Sequence, residues 1–549
     1  MKHGGELVAE ALAAAGARTL FTLVGGHTTP IVDACAAAGV RLVDVRHEEA
    51  AAHMAHAWAR ATGEPGVALV TAGPGVTNTV TGIANAWYGG APVLLLAGAP
   101  PLPQLDRGAL HEIDQLSLLR PITKWAARVH AASRLPEYVT RGLATAAAGR
   151  PGPVFLELPS DVVREQVAGA TAWPAPPARL RSLATPEAVA AAAAALDGAQ
   201  RPLIVAGSGV FWSHAWDELL ALVERLDAPV ITSHAARGVV PWSHRCHVPA
   251  ARSRAFREAD VVLVVGSRFN FMLSYGAPPR WNPDARVIQV DVDPAAIGAN
   301  RKVEVGLLGD AGAILGQLRE AVAAGSRPEW LAHLHEADTV NRRRLEDESR
   351  SDAAPIHPLR LCAELAAILE PDAYVAVDGG DILSFARQAL PATGPGGWLD
   401  AGPFGCLGHG IASAAAAKLA FPQRQAVALL GDGAFGLGAM ELDTAARHGL
   451  ELLVVVSCNG AWAIETTSQQ MEFGRAFATV LERRPYHELA RALGCDGIEV
   501  EHPGDLAEAL RTRPRGRPLL VNVQTDPGAQ SPDAVRGLGL VPRDQAVEF

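Results

Sequence analysis

The segment from Gln425 to Trp462 constrains the fold more than any other part of the chain. Ala426–Leu430 is an apolar run too short for a helix, and Gly431-Asp432-Gly433 closes it, so the run predicts a buried strand. Residues 434–448 carry apolar side chains at spacings mostly compatible with one helical face. Leu452–Val456 predicts a second buried strand. A strand, a helix and a strand of this length require a right-handed crossover and parallel pairing, which predicts an α/β fold.

Asp432 and Asn459 each follow one of these strands and should lie side by side at the carboxyl edge of the sheet, where open α/β sheets bind ligands. A carboxylate, an amide oxygen and a free backbone carbonyl suit Mg²⁺, with phosphate oxygens completing its shell. Gly433 and Ala434 leave free N–H groups at a helix start, where phosphate binds well. The alternative is an ordinary turn in which Asp432 caps the helix, and this element alone favours neither interpretation.

The GDG triplet, its spacer and Asn459 together resemble the thiamine diphosphate motif of the enzymes related to acetolactate synthase. This family usually ends the motif in two asparagines; here Cys458 takes the first position, and Asn459 matches the metal ligand. The resemblance implies that thiamine diphosphate and Mg²⁺ are cofactors. It implies Asp432, Asn459 and the backbone carbonyl of Ala461 as metal ligands, with Trp462 lining the site on the substrate side.

The size and charge of the chain exclude several classes of protein. With 549 residues, about three domains are expected. The net charge of −10 carries no basic stripe, which argues against nucleic acid. Six scattered cysteines indicate neither a disulfide framework nor a zinc site. The amino-terminal pattern is not a signal peptide, and no apolar run is long enough to cross a membrane. We therefore expect a cytoplasmic enzyme with a small-molecule substrate.

Residues up to about 166 alternate strand and helix signals, as in a parallel sheet covered on both faces. Glu48 ends a strand before an alanine-rich helix. RHEEAAAHMAHAWARATG resembles the family segment whose glutamate contacts the aminopyrimidine ring of the cofactor. A carboxyl group in an apolar pocket holds a proton that it can share with a ring nitrogen. The alternative is a helix-start acid favoured by the helix dipole. Glu49 is expected to be a solvated surface acid.

Two histidines are candidates for proton transfer. His27 follows Gly25 and Gly26 at a strand end, where an imidazole can face a cleft and move protons near neutral pH. FTLVGGH resembles benzaldehyde lyase and the acetolactate-synthase-like lyases, which place a histidine over the thiazolium. His111, in LHEIDQ, stands where many relatives carry a substrate-facing glutamine, so this departure bears on the substrate. For either histidine the alternative is a loop residue with no catalytic part.

The remaining cofactor contacts are predicted at turns after strands. Pro74, in the turn Ala72–Gly75, and Asn78 should meet the pyrimidine; Gly25 lies at a neighbouring strand end. Asp378-Gly379-Gly380-Asp381 forms a second phosphate-facing turn, which adds Gly380 and Asp381. By resemblance, the Gly405 carbonyl accepts from the 4′-amino group, and Leu407 forces the cofactor into its bent shape. Leu407 could alternatively be simple core.

A second α/β unit lies in the middle of the chain, after a proline-rich linker at 173–177. Its GSG (207–209) and GSR (266–268) turns could cradle an adenine dinucleotide or the ADP part of coenzyme A, a weak signal without a full GxGxxG. Relatives hold FAD, ADP or nothing here. Residues 320–358 should form an exposed helix and a linker. Residues 474–483 and the tail after Asp526 are candidate lids, and the tail could equally be disordered.

The sequence therefore predicts an α/β protein with three doubly wound parallel-sheet domains. These are a pyrimidine-binding domain (1–168), a central Rossmann-like domain (185–335) and a diphosphate-binding domain (356–549). The resemblance, which includes 2-hydroxyacyl-CoA lyases, implies carbon–carbon lyase or carboligase activity on 2-hydroxyacyl substrates. The alternatives are decarboxylating carboligation of 2-keto acids and a cofactor-binding protein without turnover. Family architecture implies a homodimer or homotetramer with active sites shared between subunits.

Overall fold

The computed structural model describes residues 1–168 and 180–535. It contains three parallel sheets flanked by helices, so the prediction of three α/β domains is confirmed. The predicted linker at 173–177 and the part of the tail beyond residue 535 lie outside the described residues. Within the described ranges, no helix is long and apolar enough to cross a membrane.

The first sheet has the strand order β3-β2-β4-β5-β7-β6, with every neighbouring pair parallel. A short antiparallel pair, β1 with β8, ties the amino terminus to the end of this domain. The elements are β1 Lys2–His3, α1 Gly4–Ala14, β2 Thr19–Leu23, α2 Thr29–Ala37, β3 Arg41–Asp44, α3 Glu48–Thr62, β4 Gly66–Val70, α4 Pro74–Thr77, α5 Val80–Gly89, β5 Val93–Ala99, α6 Gln115–Leu119, β6 Trp125–Arg128, α7 Leu135–Ala147, β7 Val154–Pro159, α8 Ser160–Arg164 and β8 Gln166–Val167.

The central sheet has five parallel strands in the order β10-β9-β11-β12-β13. The long helix that closes this unit confirms the helix expected within residues 320–358. The elements are α9 Pro186–Asp197, β9 Pro202–Ala206, α10 Ser208–Trp212, α11 Trp216–Leu226, β10 Val230–Thr232, α12 Arg252–Glu258, β11 Val261–Val265, β12 Arg286–Asp291, β13 Val305–Leu308, α13 Ala311–Ala321 and α14 Pro328–Ser349.

The third sheet repeats the topology of the first, with the order β15-β14-β16-β17-β19-β18 and parallel pairing throughout. Its carboxyl edge is therefore built like that of the first sheet. The elements are α15 Pro358–Ile368, β14 Tyr374–Asp378, α16 Asp381–Ala389, β15 Trp398–Leu399, α17 Gly410–Ala420, β16 Ala426–Gly431, α18 Asp432–Gly438, α19 Glu441–Arg447, β17 Leu452–Cys458, α20 Ala463–Phe473, α21 Tyr486–Ala492, β18 Asp496–Val500, α22 Pro503–Arg511, β19 Leu519–Gln524 and α23 Pro532–Val535.

The single helix expected over residues 434–448 is wrong, because the segment forms two helices, α18 and α19. Leu437 and Met440, two of the apolar residues expected to share one helical face, are 65% and 46% exposed. Glycine weakens a helix interior, and Gly438 also packs directly on another chain segment: a Cβ there would lie 2.5 Å from the Gly408 carbonyl oxygen. The helix thus breaks where the backbone makes a close tertiary contact.

Helices α3 and α17 join the first and third domains. Near the start of α3, the ring of His53 lies 5.9 Å from that of His409, which caps α17. Near its end, the Ala61 carbonyl accepts a hydrogen bond from the Tyr374 hydroxyl at 3.4 Å, and the Tyr374 ring stacks on Phe421, just past α17. The two helices therefore run in the same direction, with both amino termini at one edge.

The expectation for Glu49 is wrong. Its side chain is only 32% exposed, and one carboxylate oxygen lies 3.3 Å from Nε2 of the buried His53. When two acidic residues are adjacent at a helix start, as Glu48 and Glu49 are, the sequence does not show which of them will be buried. Here Glu48 bonds to Asn78 of its own domain, whereas Glu49 lies beside His53, whose ring is 5.9 Å from that of His409 in the third domain.

Candidate active site

The carboxyl ends of β16 and β17 bring Asp432 and Asn459 together. Asp432 is 2% exposed, and its two carboxylate oxygens accept the N–H groups of Gly433 at 3.0 Å and Gly460 at 2.6 Å. The Asn459 side-chain oxygen accepts the Ala461 N–H at 3.0 Å. Burial raises the pKa of Asp432 to about 6, although these backbone donors oppose the shift. A buried carboxylate at a strand tip is suited to a bound cation.

Trp462 closes one side of this strand tip. A Cβ at Gly433 would lie 2.4 Å from the Trp462 ring, so only glycine lets the indole cover the start of α18. The neighbouring turn carries Gly380 and Asp381 at the start of α16. Burial raises the pKa of Asp381 to about 6, and one of its carboxylate oxygens is buried without a hydrogen-bond partner among the described residues.

The described tail reaches this same turn. Ser531 hydrogen-bonds to Asp381, and the N–H of Asp533 donates to the Ser384 hydroxyl at 3.1 Å. Residues up to Val535 therefore lie beside the turn that the sequence assigns to phosphate.

The residues at this edge fit a magnesium diphosphate. Asp432, Asn459 and the Ala461 carbonyl offer only hard oxygen ligands, as Mg²⁺ prefers. Of the two N–H groups expected to be free for phosphate at the start of α18, that of Gly433 donates to Asp432, which leaves that of Ala434. The described residues contain no cluster of three or more His, Cys, Asp or Glu able to hold a metal. The predicted magnesium ligands do not form such a cluster, because Asp432 is their single acidic side chain and the other two ligands are an amide oxygen and a backbone carbonyl.

Glu48 lies at the corresponding edge of the first sheet, as the first residue of α3. It is 7% exposed, and Oε2 accepts a hydrogen bond from Nδ2 of Asn78 at 2.9 Å. Asn78 follows α4, whose first residue is Pro74. Two polar residues chosen from separate motifs of the sequence are therefore in direct contact.

His27 and His111 lie side by side, with ring centroids 5.7 Å apart. Nδ1 of His27 is 3.2 Å from the Thr71 hydroxyl, at the end of β4. Gly25 allows this approach, because a Cβ there would lie 2.4 Å from the same hydroxyl oxygen. Burial lowers the pKa of His27, and the nearby His111 and Arg164 lower it further. The imidazole of His27 is therefore neutral, and able to accept a proton, at neutral pH.

The loop that carries Gly405 and Leu407 faces the start of α3. Burial raises the pKa of the Cys406 thiol, between these two residues, and the nearby charges of Asp378 and Glu49 raise it further. Phe404 stacks on Tyr88 of the first domain at a centroid distance of 5.3 Å. Gly405 itself has φ of 69°, and a Cβ there would meet nothing within 4 Å. The Gly405 backbone is thus open on the side to which a Cβ would point.

The two glycine turns of the central domain line a separate cavity of about 1070 Å³. Ser208 and Gly209, Ser267 and Arg268 contribute to its wall, as do residues of the first domain, among them Trp58 and Arg150. The cavity therefore lies between the central and first domains, and its lining includes none of the residues assigned above to thiamine diphosphate.

Sequence reasoning missed two groups at these edges. Thr71 holds Nδ1 of His27, and the N–H of Gly460 makes the shorter of the two hydrogen bonds to Asp432. The available signal was position alone: Thr71 directly follows β4, and Gly460 directly follows Asn459.

Comparison with known families identifies all three domains. Residues 2–118 match the thiamine pyrophosphate enzyme N-terminal TPP binding domain, residues 189–318 the central domain, and residues 378–523 the C-terminal TPP binding domain. Thiamine pyrophosphate and thiamine diphosphate are the same compound.

Several curated proteins are similar over nearly their whole length. A probable acetolactate synthase of Mycobacterium bovis is 41% identical over 537 residues, which cover 96% of this chain and 97% of that protein. The 2-hydroxyacyl-CoA lyase 2 of Homo sapiens is 34% identical over 568 residues, covering 95% and 90%. The 2-hydroxyacyl-CoA lyase of Oryza sativa subsp. japonica is 34% identical over 558 residues, covering 96% of each.

Proposed function

Because this chain belongs to the thiamine pyrophosphate enzyme family, we propose that it is a carbon–carbon lyase and carboligase that acts on 2-hydroxyacyl compounds, coenzyme A thioesters among them. The observation that carries this choice is the pair His27 and His111. Fragmentation of a 2-hydroxyacyl compound requires a base for the proton of a hydroxyl group, whereas loss of CO₂ from a 2-keto acid does not. Two adjacent imidazoles supply such a base.

Thiamine diphosphate, when bound, supplies an electron sink for the electron pair freed as a carbon–carbon bond beside a carbonyl breaks. We assign its Mg²⁺ to Asp432, Asn459 and the Ala461 carbonyl. The diphosphate is assigned to Gly433, Ala434, Gly380 and Asp381. The burial of Asp432 supports the metal assignment, because a buried carboxylate is stabilised by a cation beside it. Asp381 has a buried oxygen without a partner and a pKa that burial raises to about 6, so its protonated form can donate to a phosphate oxygen.

The pyrimidine end is assigned to the first domain and to the loop before α17. Glu48 would hydrogen-bond to the ring nitrogen and share a proton with it, and Asn78 orients its carboxyl group. Gly25 and Pro74 would allow close backbone approach, and the Gly405 carbonyl would accept from the amino group. Leu407 would pack against the cofactor, and Trp462 would line the substrate side. His27 takes the proton of the substrate hydroxyl, with His111 as its neighbour.

The second candidate is decarboxylating carboligation of 2-keto acids. The observation that favours it is the 41% identity to a protein named probable acetolactate synthase. The two functions share every cofactor contact and differ in whether the substrate presents a hydroxyl group or a carboxylate beside the reacting carbon.

A pair of assays separates the two candidates. Purified protein with thiamine diphosphate and Mg²⁺ is given a panel of 2-hydroxyacyl-CoA thioesters, and released aldehyde is measured. In parallel it is given carboxyl-labelled pyruvate, and labelled CO₂ and acetolactate are measured. We expect aldehyde release; rapid CO₂ release with acetolactate formation and no aldehyde would contradict the proposal.

Replacement of Glu48 by Gln tests the catalytic assignment. The amide keeps the shape of the side chain but cannot hold an acidic proton, so kcat should fall by about 10²- to 10⁴-fold. The Tm should stay close to that of the wild type. Glu49→Gln is the matched control on the same helix turn and should retain most of the activity. Unchanged turnover in Glu48→Gln would refute the role.

We propose a homodimer or homotetramer in which a second copy completes the open side of the Gly405 loop. Support comes from the exposed apolar residues around the third-domain edge: Leu437, Met440, Met471, Phe473, Phe477 and Val480 are each at least 46% exposed. We also propose that the enzyme works in the cytoplasm. Its six cysteines are unpaired and five of them are buried, as expected in a reducing compartment.

A further inference from the structure

Gln115, the first residue of α6, links three strand ends of the first sheet. Its side chain is 1% exposed. Oε1 accepts the N–H of Gly73 at 2.8 Å, and Nε2 donates to the Gly98 carbonyl at 3.2 Å and to Oε1 of Glu157 at 2.7 Å. These partners follow β4 or belong to β5 and β7. One amide therefore ties together the three strands next to the proposed substrate side.

The orientation of this amide is determined by its partners. The Gly73 N–H can only donate, and the Gly98 carbonyl and an ionised Glu157 can only accept. An inverted amide would place a donor against a donor and an acceptor against two acceptors. Both amide hydrogens are used, so the side chain has one arrangement that satisfies its buried polar atoms.

Each glycine held by Gln115 packs against one of the two histidines. A Cβ at Gly73 would lie 2.7 Å from the His111 carbonyl oxygen and 2.8 Å from its Cβ. A Cβ at Gly98 would lie 2.4 Å from Cβ of His27. His111 itself has φ of 62°, a left-handed conformation that only a surrounding structure can maintain in a histidine. The distance between Gly73 and Gly98 therefore fixes the distance between the histidines.

Glu157 holds Gln115 from the side opposite to the histidines. It is 1% exposed, and its other oxygen, Oε2, accepts a hydrogen bond from Nε of Arg128 at 2.5 Å. A buried carboxylate requires such a partner, because leaving it unpaired is strongly unfavourable. The chain of contacts thus runs from Arg128 through Glu157 to Gln115 and on to the two glycines.

We propose that Gln115 is a positioning residue that sets the separation and orientation of His27 and His111. It touches no reacting atom and acts through the backbone of Gly73 and Gly98. Its kinetic consequence rests on the proposed function, whereas its effect on the histidines does not.

The test compares Gln115→Met with Gln289→Met. Gln289 is a matched control in the central sheet: it is fully buried, accepts the Gly298 N–H at 3.0 Å, and donates to the carbonyls of Ala296 at 3.1 Å and Ser267 at 3.3 Å. Each variant loses one hydrogen bond accepted from a backbone N–H and two donated by the amide. One of the two donated by Gln115 goes to a carboxylate, which keeps its bond from Arg128 in the variant. The first readout is the titration of His27, followed by NMR of ¹³C-labelled histidine and assigned with His27→Gln. The second is kcat/KM with the substrate found in the assays above.

We expect Gln115→Met to shift the His27 titration and to lower kcat/KM by about tenfold to a hundredfold, the usual cost of a misplaced catalytic group. Gln289→Met should leave both unchanged despite a similar loss of Tm. If Gln115→Met does not fold, Glu157→Gln is measured instead and should give a smaller shift in the same readouts.

The outcomes separate this inference from the proposed function. A shifted His27 titration in a protein without lyase activity supports the inference and refutes the function. Lyase activity in the wild type, with Gln115→Met indistinguishable from Gln289→Met in both readouts, overturns the inference and leaves the function standing.

Discussion

At the scale of single residues, burial decides which polar groups are ready for chemistry and which only hold the structure. His27 keeps a half-buried ring between Thr71 and His111, whereas His234 is 7% exposed and lies in the junction between the central and third domains. Burial lowers the pKa of both rings. The consequences differ, because the His27 ring lies beside His111 on the proposed substrate side, whereas the buried His234 belongs to the wall of the separate cavity at the central domain.

The pH dependence of kcat/KM should report His27. A base must be neutral to accept a proton, and the pKa of His27 lies below its ordinary value of 6.5. Activity should therefore persist as the pH falls through 6.5 and should be lost only at lower pH. His111→Gln removes one of the causes of the shift and should move this acid limb upward. In His27→Gln this loss of activity at acid pH should disappear from the pH profile. A wild-type acid limb with an apparent pKa of 6.5 or higher would contradict the assignment.

Stability at acid pH should depend on His234. Its Nδ1 lies 2.8 Å from the Ser208 hydroxyl, and burial lowers its pKa to about 3. The unfolded chain binds a proton near the ordinary pKa while the folded chain does not, so stability is lost as the pH falls below about 6.5.

Replacement of His234 by Asn tests this linkage. Asn tolerates the φ of 50° at this position. Between about pH 7.5 and about pH 5, the wild type should lose about 2 kcal/mol more unfolding free energy than His234→Asn, measured by chemical denaturation. The exposed His130, replaced by Asn, is the control and should follow the wild type. Parallel curves for the wild type and His234→Asn would contradict the linkage.

At the scale of secondary structure elements, close helix packing places Glu48. Helix α3 is rich in alanine, and α5 packs on it through Gly82: a Cβ at Gly82 would lie 2.6 Å from that of Ala52 and 3.2 Å from the Glu49 carbonyl oxygen. Small residues let the two helices approach each other closely. The closest approach is near the first turn of α3. The position of Glu48 therefore depends on a glycine in another helix.

Gly82→Ala should destabilise the protein by about 1–3 kcal/mol, the usual cost of overpacking, and should lower kcat/KM by moving the first turn of α3. Ala52→Gly in the same chain should restore part of both losses by removing the clashing methyl group. Gly316→Ala, in α13 with nothing within 4 Å of the added Cβ, should instead stabilise by up to about 1 kcal/mol. Equal effects at positions 82 and 316 would refute the packing argument.

At the scale of the whole molecule, two sheets of identical topology face each other through α3 and α17, and the central domain stands beside them. The carboxyl edges of these two sheets carry all the residues assigned to the cofactor. Several exposed apolar side chains surround the third-domain edge, among them Leu437 at 65% exposure. A surface of this kind next to an open site favours completion by a second copy.

Leu437→Asp should weaken the assembly, because a charge in an apolar interface is not solvated, and turnover should fall together with the assembled fraction. Sedimentation velocity over a range of protein concentrations measures both states. Val340→Asp, at a site 62% exposed on α14, is the control and should leave the assembly intact. An active monomer, or an unchanged oligomer with full activity in Leu437→Asp, would contradict the shared site.

Sequence patterns alone were enough to predict the fold class and the residues at the strand ends. Short buried apolar runs must pair as parallel strands when helices separate them, and parallel strands end at the same edge. Asp432 and Asn459, or His27 and the turn at Pro74, could therefore be placed together from their positions alone. The three matches to thiamine pyrophosphate enzyme domains fall in the same order along the chain as the predicted domains.

Contacts between segments distant along the chain became visible only in the folded protein. The break between α18 and α19, the half-burial of Glu49 and the role of Gln115 all depend on which backbone approaches which. Local sequence patterns do not predict such contacts. A glycine or a glutamine looks the same in the sequence whether water or a strand end lies beside it in the folded chain. Close packing between elements fixes those partners, and it does so only once the whole chain has folded.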